Sequence, residues 1–382
     1  MNKSMIRYLL AKLLLIEAML LCVPIVVALL NLKNDFVVKD SPTVFISLFA
    51  TIAILLILGG IGTLFKPKDF HIYAKEGVLI VALCWILWSF FGALPFVFSG
   101  QIPNIIDAFF EISSGFTTTG ATILNDVSVL SPSLLFWRSF THLIGGMGVL
   151  VFALAIMDNN KNSHLEVMKA EVPGPVFGKI VSKLKNTAQI LYYLYLALFF
   201  LFVIIYFRAG MPLYDSFIIA MGTAGTGGFT VFNDGIAHYH STLITYLVSF
   251  GVLVFGVNFN LYYYIMLRKF KAFFGDEELR TYLMIVGVSS LLIACNILHL
   301  YHNFADSFEM SFFQVSNVIT TTGFGFGNTV HAHGDWWIGW VNCRGAESHS
   351  FLNSSSNREE SNSFDPLTQS GDDPACEWHS LG

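Results

Sequence analysis

Residues Ser113–Thr122 read SSGFTTTGAT, and residues 318–326 read VITTTGFGF. In each, a run of threonines ending in glycine closes a short apolar stretch, in a chain otherwise built of much longer apolar blocks. A relative lies between them. Aligned without gaps on the final glycine, Asp107–Ala121 (DAFFEISSGFTTTGA), Asp215–Phe229 (DSFIIAMGTAGTGGF) and Met310–Phe324 (MSFFQVSNVITTTGF) bring Phe109, Phe217 and Phe312 into register. Thr118, Thr226 and Thr321 coincide as well, and so do Gly120, Gly228 and Gly323. One TTTG between helices is ordinarily a polar loop with a capping threonine. Three in register, each after an apolar block, make an internal repeat, the feature that fixes an architecture.

The background composition agrees. Of 382 residues, 54% are hydrophobic and 12% charged, where a soluble domain carries about 25% charged residues. The apolar content falls in blocks near 7–31, 43–65, 77–98, 134–157, 187–208, 241–267 and 281–301, each long enough for a spanning helix of about 20 residues. Stretches 105–116, 213–223 and 308–319 are too short to cross and read as re-entrant half-helices. With the N-terminus cytoplasmic and each short stretch entering and leaving from outside, 15 of the 19 basic residues before Cys343 fall on the inner side. The five cysteines form no CxxC pair, and the spacing of His238 with His240 and of His331 with His333 suits no single helix face, so no metal site is expected. His142 reads as a packing histidine, and Arg138 as a residue that snorkels outward or pairs with an acid such as Glu111.

A half-helix entering from outside points its C-terminal carbonyls, and their partial negative charge, toward the membrane centre, which favours a cation there. The extended Thr-Thr-Thr-Gly beyond it can line a path with backbone carbonyls, and the glycine supplies a positive φ. Rings of such carbonyls replace the hydration shell of a monovalent cation.

These motifs resemble the pore loops of the Trk/Ktr/HKT superfamily of potassium or sodium transporters. SSGFTTTGAT is similar to the first filter, GTAGTGGFT (Gly222–Thr230) to the second and VITTTGFGF to the third, and Trp137–Val151 (WRSFTHLIGGMGVLV) resembles the segment after the first loop. Two spans before the first repeat match the TrkH-like branch. The resemblance implies an all-α polytopic membrane protein of repeated helix–re-entrant pore loop–helix units, potassium-channel-like and here incomplete. It implies potassium uptake across a bacterial inner membrane, with no enzymatic activity, no covalently bound cofactor and no nucleic-acid partner. The implied filter residues are Thr117, Thr118, Thr119 and Gly120; Thr226, Gly227 and Gly228; and Thr321, Thr322 and Gly323. The implied partners are the lipid bilayer, a second copy in a homodimer, and a cytosolic nucleotide-binding subunit of the TrkA or KtrA kind. The inner segments 161–185 and Arg268–Arg280 are candidates for that last contact.

The expected organisation is a two-helix extension at 1–70, pore repeats at 71–160 and 161–272, a partial third repeat at 273–340, and a polar, disordered tail at 341–382. The family pattern calls for a further helix and a fourth repeat, but the last 40 residues hold nine serines, seven acids and no lysine. The expectation is a truncated or frameshifted gene after about residue 338, whose product alone does not conduct potassium selectively. Two alternatives stand beside uptake: a non-conducting remnant, and a membrane-embedded hydrolase using Ser113, Ser114 and His142, which lacks a GxSxG motif.

Overall fold

The computed structural model describes residues 2–30, 40–67, 74–148, 184–266 and 268–326. Most of the inner segment 161–185, and the change of composition near residue 338 with the tail, lie outside the described residues. Helix α1 (Lys3–Leu20) starts at Asn2, whose side chain accepts from the Met5 N–H at 3.1 Å. It breaks at Leu21 and resumes as α2 (Cys22–Leu30). Pro24 lacks the N–H that would bond the Leu20 carbonyl, which accounts for the break. Helices α3 (Pro42–Leu64) and α4 (Ala74–Ser99) follow. Then come a short helix α5 (Ile105–Phe116), α6 (Pro132–Gly145), the long α7 (Leu184–Arg208) and the short α8 (Leu213–Ala224). The described chain ends with α9 (Thr242–Gly256), α10 (Phe259–Met266), α11 (Phe270–Phe274), α12 (Glu277–Tyr301) and α13 (Phe304–Ile319). No β-strand occurs among the described residues, only an isolated bridge between Gly235 and Phe326.

Among the described residues, five segments are long and apolar enough to cross a membrane: α1 with α2, α3, α4, α7 and α12. Their outward faces carry exposed Leu and Ile side chains such as Ile57, Ile204 and Leu292. Helix α1 lies against α3 through small residues. A Cβ added at Gly59 would stand 2.7 Å from Leu15 Cγ and 2.9 Å from the Ala11 carbonyl oxygen, whereas one at Gly60 would meet nothing within 4 Å. Gly59→Leu is therefore expected to force the pair apart and lower the unfolding midpoint in detergent, at a cost of about 1–3 kcal/mol. Gly60→Leu is the matched control, expected to leave the midpoint unchanged.

Two expected spans come out differently. The block at 134–157 is helical only to Gly145 among the described residues, which stop at 148. The block at 241–267 is broken: Val257 is extended (φ −73, ψ 144) and the helix restarts at Phe259. A break inside a membrane leaves carbonyls that must find donors. Here the Tyr262 hydroxyl donates to the Val254 carbonyl at 2.5 Å, and the Tyr282 hydroxyl to the Leu253 carbonyl at 3.3 Å. The half-helix expected at 308–319 begins one turn earlier, at Phe304. Asn303 caps it by accepting from the Ala305 N–H at 3.0 Å, and Phe304, Phe308 and Phe312 stack along its side.

Each short helix sits between longer ones. Helix α5 packs between α4 and α6, α8 against α7, α6 and α9, and α13 against α12 and α9. So α6 joins the first unit to the second and α9 joins the second to the third, which gathers the C-terminal ends of the three short helices together.

Candidate functional site

The three short helices end in the same way. Past the last turn of α5, the Thr118 N–H bonds the Gly115 carbonyl at 3.1 Å and the Thr119 N–H bonds the Ser114 carbonyl at 2.9 Å. After α8, Thr226 bonds Thr223 at 3.2 Å and Gly227 bonds Gly222 at 2.9 Å. After α13, Thr321 bonds Val318 at 3.1 Å and Thr322 bonds Asn317 at 2.9 Å. This is the Schellman arrangement, which needs a left-handed residue at the position after the cap and usually has glycine there. Here that residue is a threonine all three times, with φ of 53° at Thr118, 50° at Thr226 and 59° at Thr321. A left-handed conformation costs an L-residue about 1–2 kcal/mol, and a β-branched residue adopts it rarely. Strain of this kind, repeated at equivalent places, belongs to sites whose backbone shape is their function.

Two residues on, Gly120, Gly228 and Gly323 are left-handed again, at φ of 76°, 77° and 73°. Positive φ at alternate residues keeps successive peptide planes from alternating as they do in a strand, so carbonyls can gather on one side. The segments meet there. A Cβ at Gly120 would fall on the Gly227 carbonyl oxygen and come within 3.8 Å of that of Thr322; one at Gly228 would fall on the Thr322 oxygen. Each glycine therefore faces the carbonyl of the next unit, in the order first, second, third. At Gly323 nothing among the described residues lies within 4 Å of the equivalent position. All ten residues expected to line the filter thus lie in these three segments, and the close approaches between them run through Gly120, Gly227, Gly228 and Thr322.

The surroundings hold this cluster in place. Arg138 is buried rather than snorkelling outward, and its Nε donates to Glu111 Oε1 at 2.5 Å. Glu111 also accepts from the Thr122 hydroxyl at 2.8 Å and the Ile123 N–H at 3.0 Å, tying down the chain just past Gly120. The Arg138 guanidinium lies 3.3 Å from the centroid of Phe229, just past the second segment. The segments that follow are tied together as well. Asn233 accepts from the Val127 N–H at 3.0 Å and donates to Asp126 at 3.0 Å, and the Ile236 N–H donates to the Gly325 carbonyl at 3.0 Å. In that loop the side chain and backbone of Ser128, and after them Asn233, hold the Asp126 carboxylate below its usual range against an opposing effect of burial. The stability this gives is present above the ordinary carboxylate pKa and is lost as pH falls through the lowered one.

Sequence reasoning missed two participants. His142 is buried, as expected of a packing histidine, but neither ring nitrogen has a hydrogen-bond partner among the described residues. Its neighbours are Gly225, Gly227 and Phe229. Asn317 is the other: its side chain accepts from the Phe324 N–H at 3.1 Å, just past the third segment. Both touch residues within or just past the aligned segments, and helix periodicity alone does not reveal those contacts.

The comparisons with known proteins agree with this architecture. The family described as TrkH, cation transport protein, matches residues 44–326. The Trk system potassium uptake protein TrkH of Salmonella typhimurium is 35% identical over 260 residues, covering 66% of this chain and 53% of the relative. The Trk system potassium uptake protein TrkG of Escherichia coli is 32% identical over 281 residues, covering 72% of this chain and 58% of the relative. The crystal structure of the potassium transporter TrkH from Vibrio parahaemolyticus superposes with a TM-score of 0.72 at 27% identity, covering 85% of this chain and 66% of that one. The chain spans about half the length of the curated relatives it matches.

Proposed function

This chain belongs to the TrkH family of cation transport proteins, and on that premise we propose that it takes part in potassium uptake as a multi-pass membrane protein. In this reading Thr117–Gly120, Thr226–Gly228 and Thr321–Gly323 are three walls of an ion filter. The observation that carries it is the threefold recurrence of a left-handed threonine two residues before a left-handed glycine, at the C-terminal end of a short helix packed between longer ones. The helix ends bring partial negative charge to the cluster, and crowded carbonyls with no lysine or arginine among the ten residues suit a dehydrated cation. A glycine in every wall favours potassium over sodium, by likeness to the named relatives.

The orientation proposed from the basic residues has the N-terminus cytoplasmic and the filter opening outward, in a bacterial inner membrane. The units proposed are a two-helix extension at 1–70 and pore repeats beginning at 71, 161 and 273. A homodimer and a cytosolic nucleotide-binding subunit are the proposed partners. The exposed Phe270 and Phe274, within the basic stretch Arg268–Arg280, supply a surface for the latter. That no described residue stands beside Gly323 favours a second reading: these walls hold an ion, but conduct it only when a further wall closes that side, supplied by another segment or another chain.

The test is thermal unfolding of the purified 382-residue chain in detergent, with potassium, sodium or choline chloride at equal ionic strength. A ligand that binds only the folded form at 100 times its Kd stabilises by about 2.7 kcal/mol, so potassium is expected to raise the midpoint above sodium and choline. Equal midpoints in the three salts overturn the filter. Potassium uptake by a transporter-deficient host then separates the two readings: uptake supports conduction by this chain, and stabilisation without uptake supports the second.

A further inference from the structure

The three walls are not held in the same way. In the first, the Thr117 and Thr119 hydroxyls meet at 2.8 Å across the strained Thr118, and Thr117 also donates to the Ser113 carbonyl at 2.7 Å. In the third, Thr320 and Thr322 meet at 2.7 Å across Thr321, and Thr320 donates to the Ser316 carbonyl at 2.7 Å. Each pair brackets the left-handed residue and ties it back to its helix. In the second wall the bracketing positions are Gly225 and Gly227, which have no side chains, yet Thr226 is as strained as its counterparts.

The imidazole of His142 stands where the missing bracket would be. A Cβ added at Gly227 would lie 2.5 Å from the ring Cε1 and Nε2 and 2.6 Å from Cδ2, all three atoms of one ring face or edge. Gly227 is not among the residues with positive φ, so its backbone would accept a side chain, and the ring is what excludes one. Gly225 lies against the His142 backbone carbonyl, which keeps α6 close to the wall. The ring stacks on Phe229 at 4.0 Å between centroids and 25° between planes. It therefore touches the residues on either side of the filter glycine Gly228. Both ring nitrogens are buried without partners among the described residues. A buried polar atom left unpaired costs stability, so an apolar side chain of similar volume would serve better if packing were all that mattered.

We propose that His142 is the positioning residue of the second wall: an imidazole supplied by α6, the helix that joins the first unit to the second, doing for Thr226 what a threonine pair does for Thr118 and Thr321. The assignment rests on the ion-filter reading above. It makes the discrimination between potassium and sodium depend on a residue that does not line the ion path.

The experiment is a reciprocal size swap in the full 382-residue chain, read as the ratio of apparent potassium and sodium affinities from salt-dependent unfolding midpoints. His142→Ala is expected to lower that ratio roughly tenfold, a change equivalent to about 1.4 kcal/mol. Gly227→Thr alone is expected to lower it too, because the new side chain meets the ring. The double substitution H142A/G227T gives the second wall the side chain that the other two carry at this position, and is expected to recover most of the ratio. A general loss of packing would lower stability in all salts and would not be repaired by adding bulk at Gly227. A folded H142A chain with an unchanged ratio overturns the assignment, and so does a double variant no better than H142A. If H142A does not fold, the double variant decides in the same sense: recovery supports the assignment and failure overturns it. An unsubstituted chain that does not distinguish the two ions overturns the filter reading itself, and the assignment with it.

Discussion

Gly228→Ala is expected to abolish the difference between potassium and sodium in salt-dependent unfolding, and Gly120→Ala to do the same. Two effects add at each position. The backbone is left-handed, at φ of 77° and 76°, which costs alanine about 1 kcal/mol more than glycine. The added methyl would also fall on a backbone carbonyl oxygen, that of Thr322 for Gly228 and that of Gly227 for Gly120. A flexible side chain could swing aside, but a carbonyl moves only with its wall. That wall is anchored by a Schellman end whose bonds measure 2.9 to 3.2 Å in the second and third units. The oxygen that must retreat is one the filter reading needs in place, so ion binding is lost before the fold is. Gly323→Ala is the internal comparison. Its φ is 73°, but nothing among the described residues stands within 4 Å of the new methyl, so its effect on folding is limited to the conformational cost. Discrimination by the Gly228→Ala chain equal to that of the unsubstituted chain would refute the convergence of the second and third walls.

Glu111→Ala is expected to be the most destabilising substitution outside the three threonine–glycine segments. Glu111 and Arg138 are both buried, and removing one partner of a buried pair leaves a charge in a low-dielectric interior, at a cost of about 3–5 kcal/mol. The same change strips acceptors from the Thr122 hydroxyl and the Ile123 N–H, so the exit of the first wall loosens at once. Glu111→Gln keeps an acceptor for those two donors but not the charge, and should fall between. The double change Glu111→Leu with Arg138→Met removes both charges and should unfold at a higher temperature than Glu111→Ala. Unfolding midpoints in detergent rank the four chains. A Glu111→Ala midpoint equal to that of the unsubstituted chain would mean that the pair contributes nothing.

Much of the site was legible because its signals are local. The register of Phe109, Phe217 and Phe312 with the three glycines located each short helix, and its C-terminal end came out within one residue. The glycines announced the positive φ at 120, 228 and 323. The left-handed threonines were not legible, because a threonine in isolation avoids that region; it is held there by two hydrogen bonds that form only when the helix end is complete. In the middle copy Gly225 and Gly227 stand where the other two copies have threonines. In the structure those glycines make room for α6 and His142.

What the amino-acid sequence determined by itself was the placing of the short helices among longer apolar ones and the three threonine–glycine motifs that end them, all set by neighbours within a few positions. The break at Val257, the burial of Arg138 on Glu111 and the seating of His142 were decided only by the tertiary structure. Each depends on a group distant in sequence: the Tyr282 hydroxyl that takes a freed carbonyl, the carboxylate that neutralises a guanidinium, the glycine that leaves space for a ring. A buried carbonyl, charge or void takes its energy from whatever faces it, and helix periodicity does not reveal what will face it. The order of the three walls around one another has the same origin. Gly120 meets Gly227, and Gly228 meets Thr322, because α6 and α9 each pack against the short helices of two successive units.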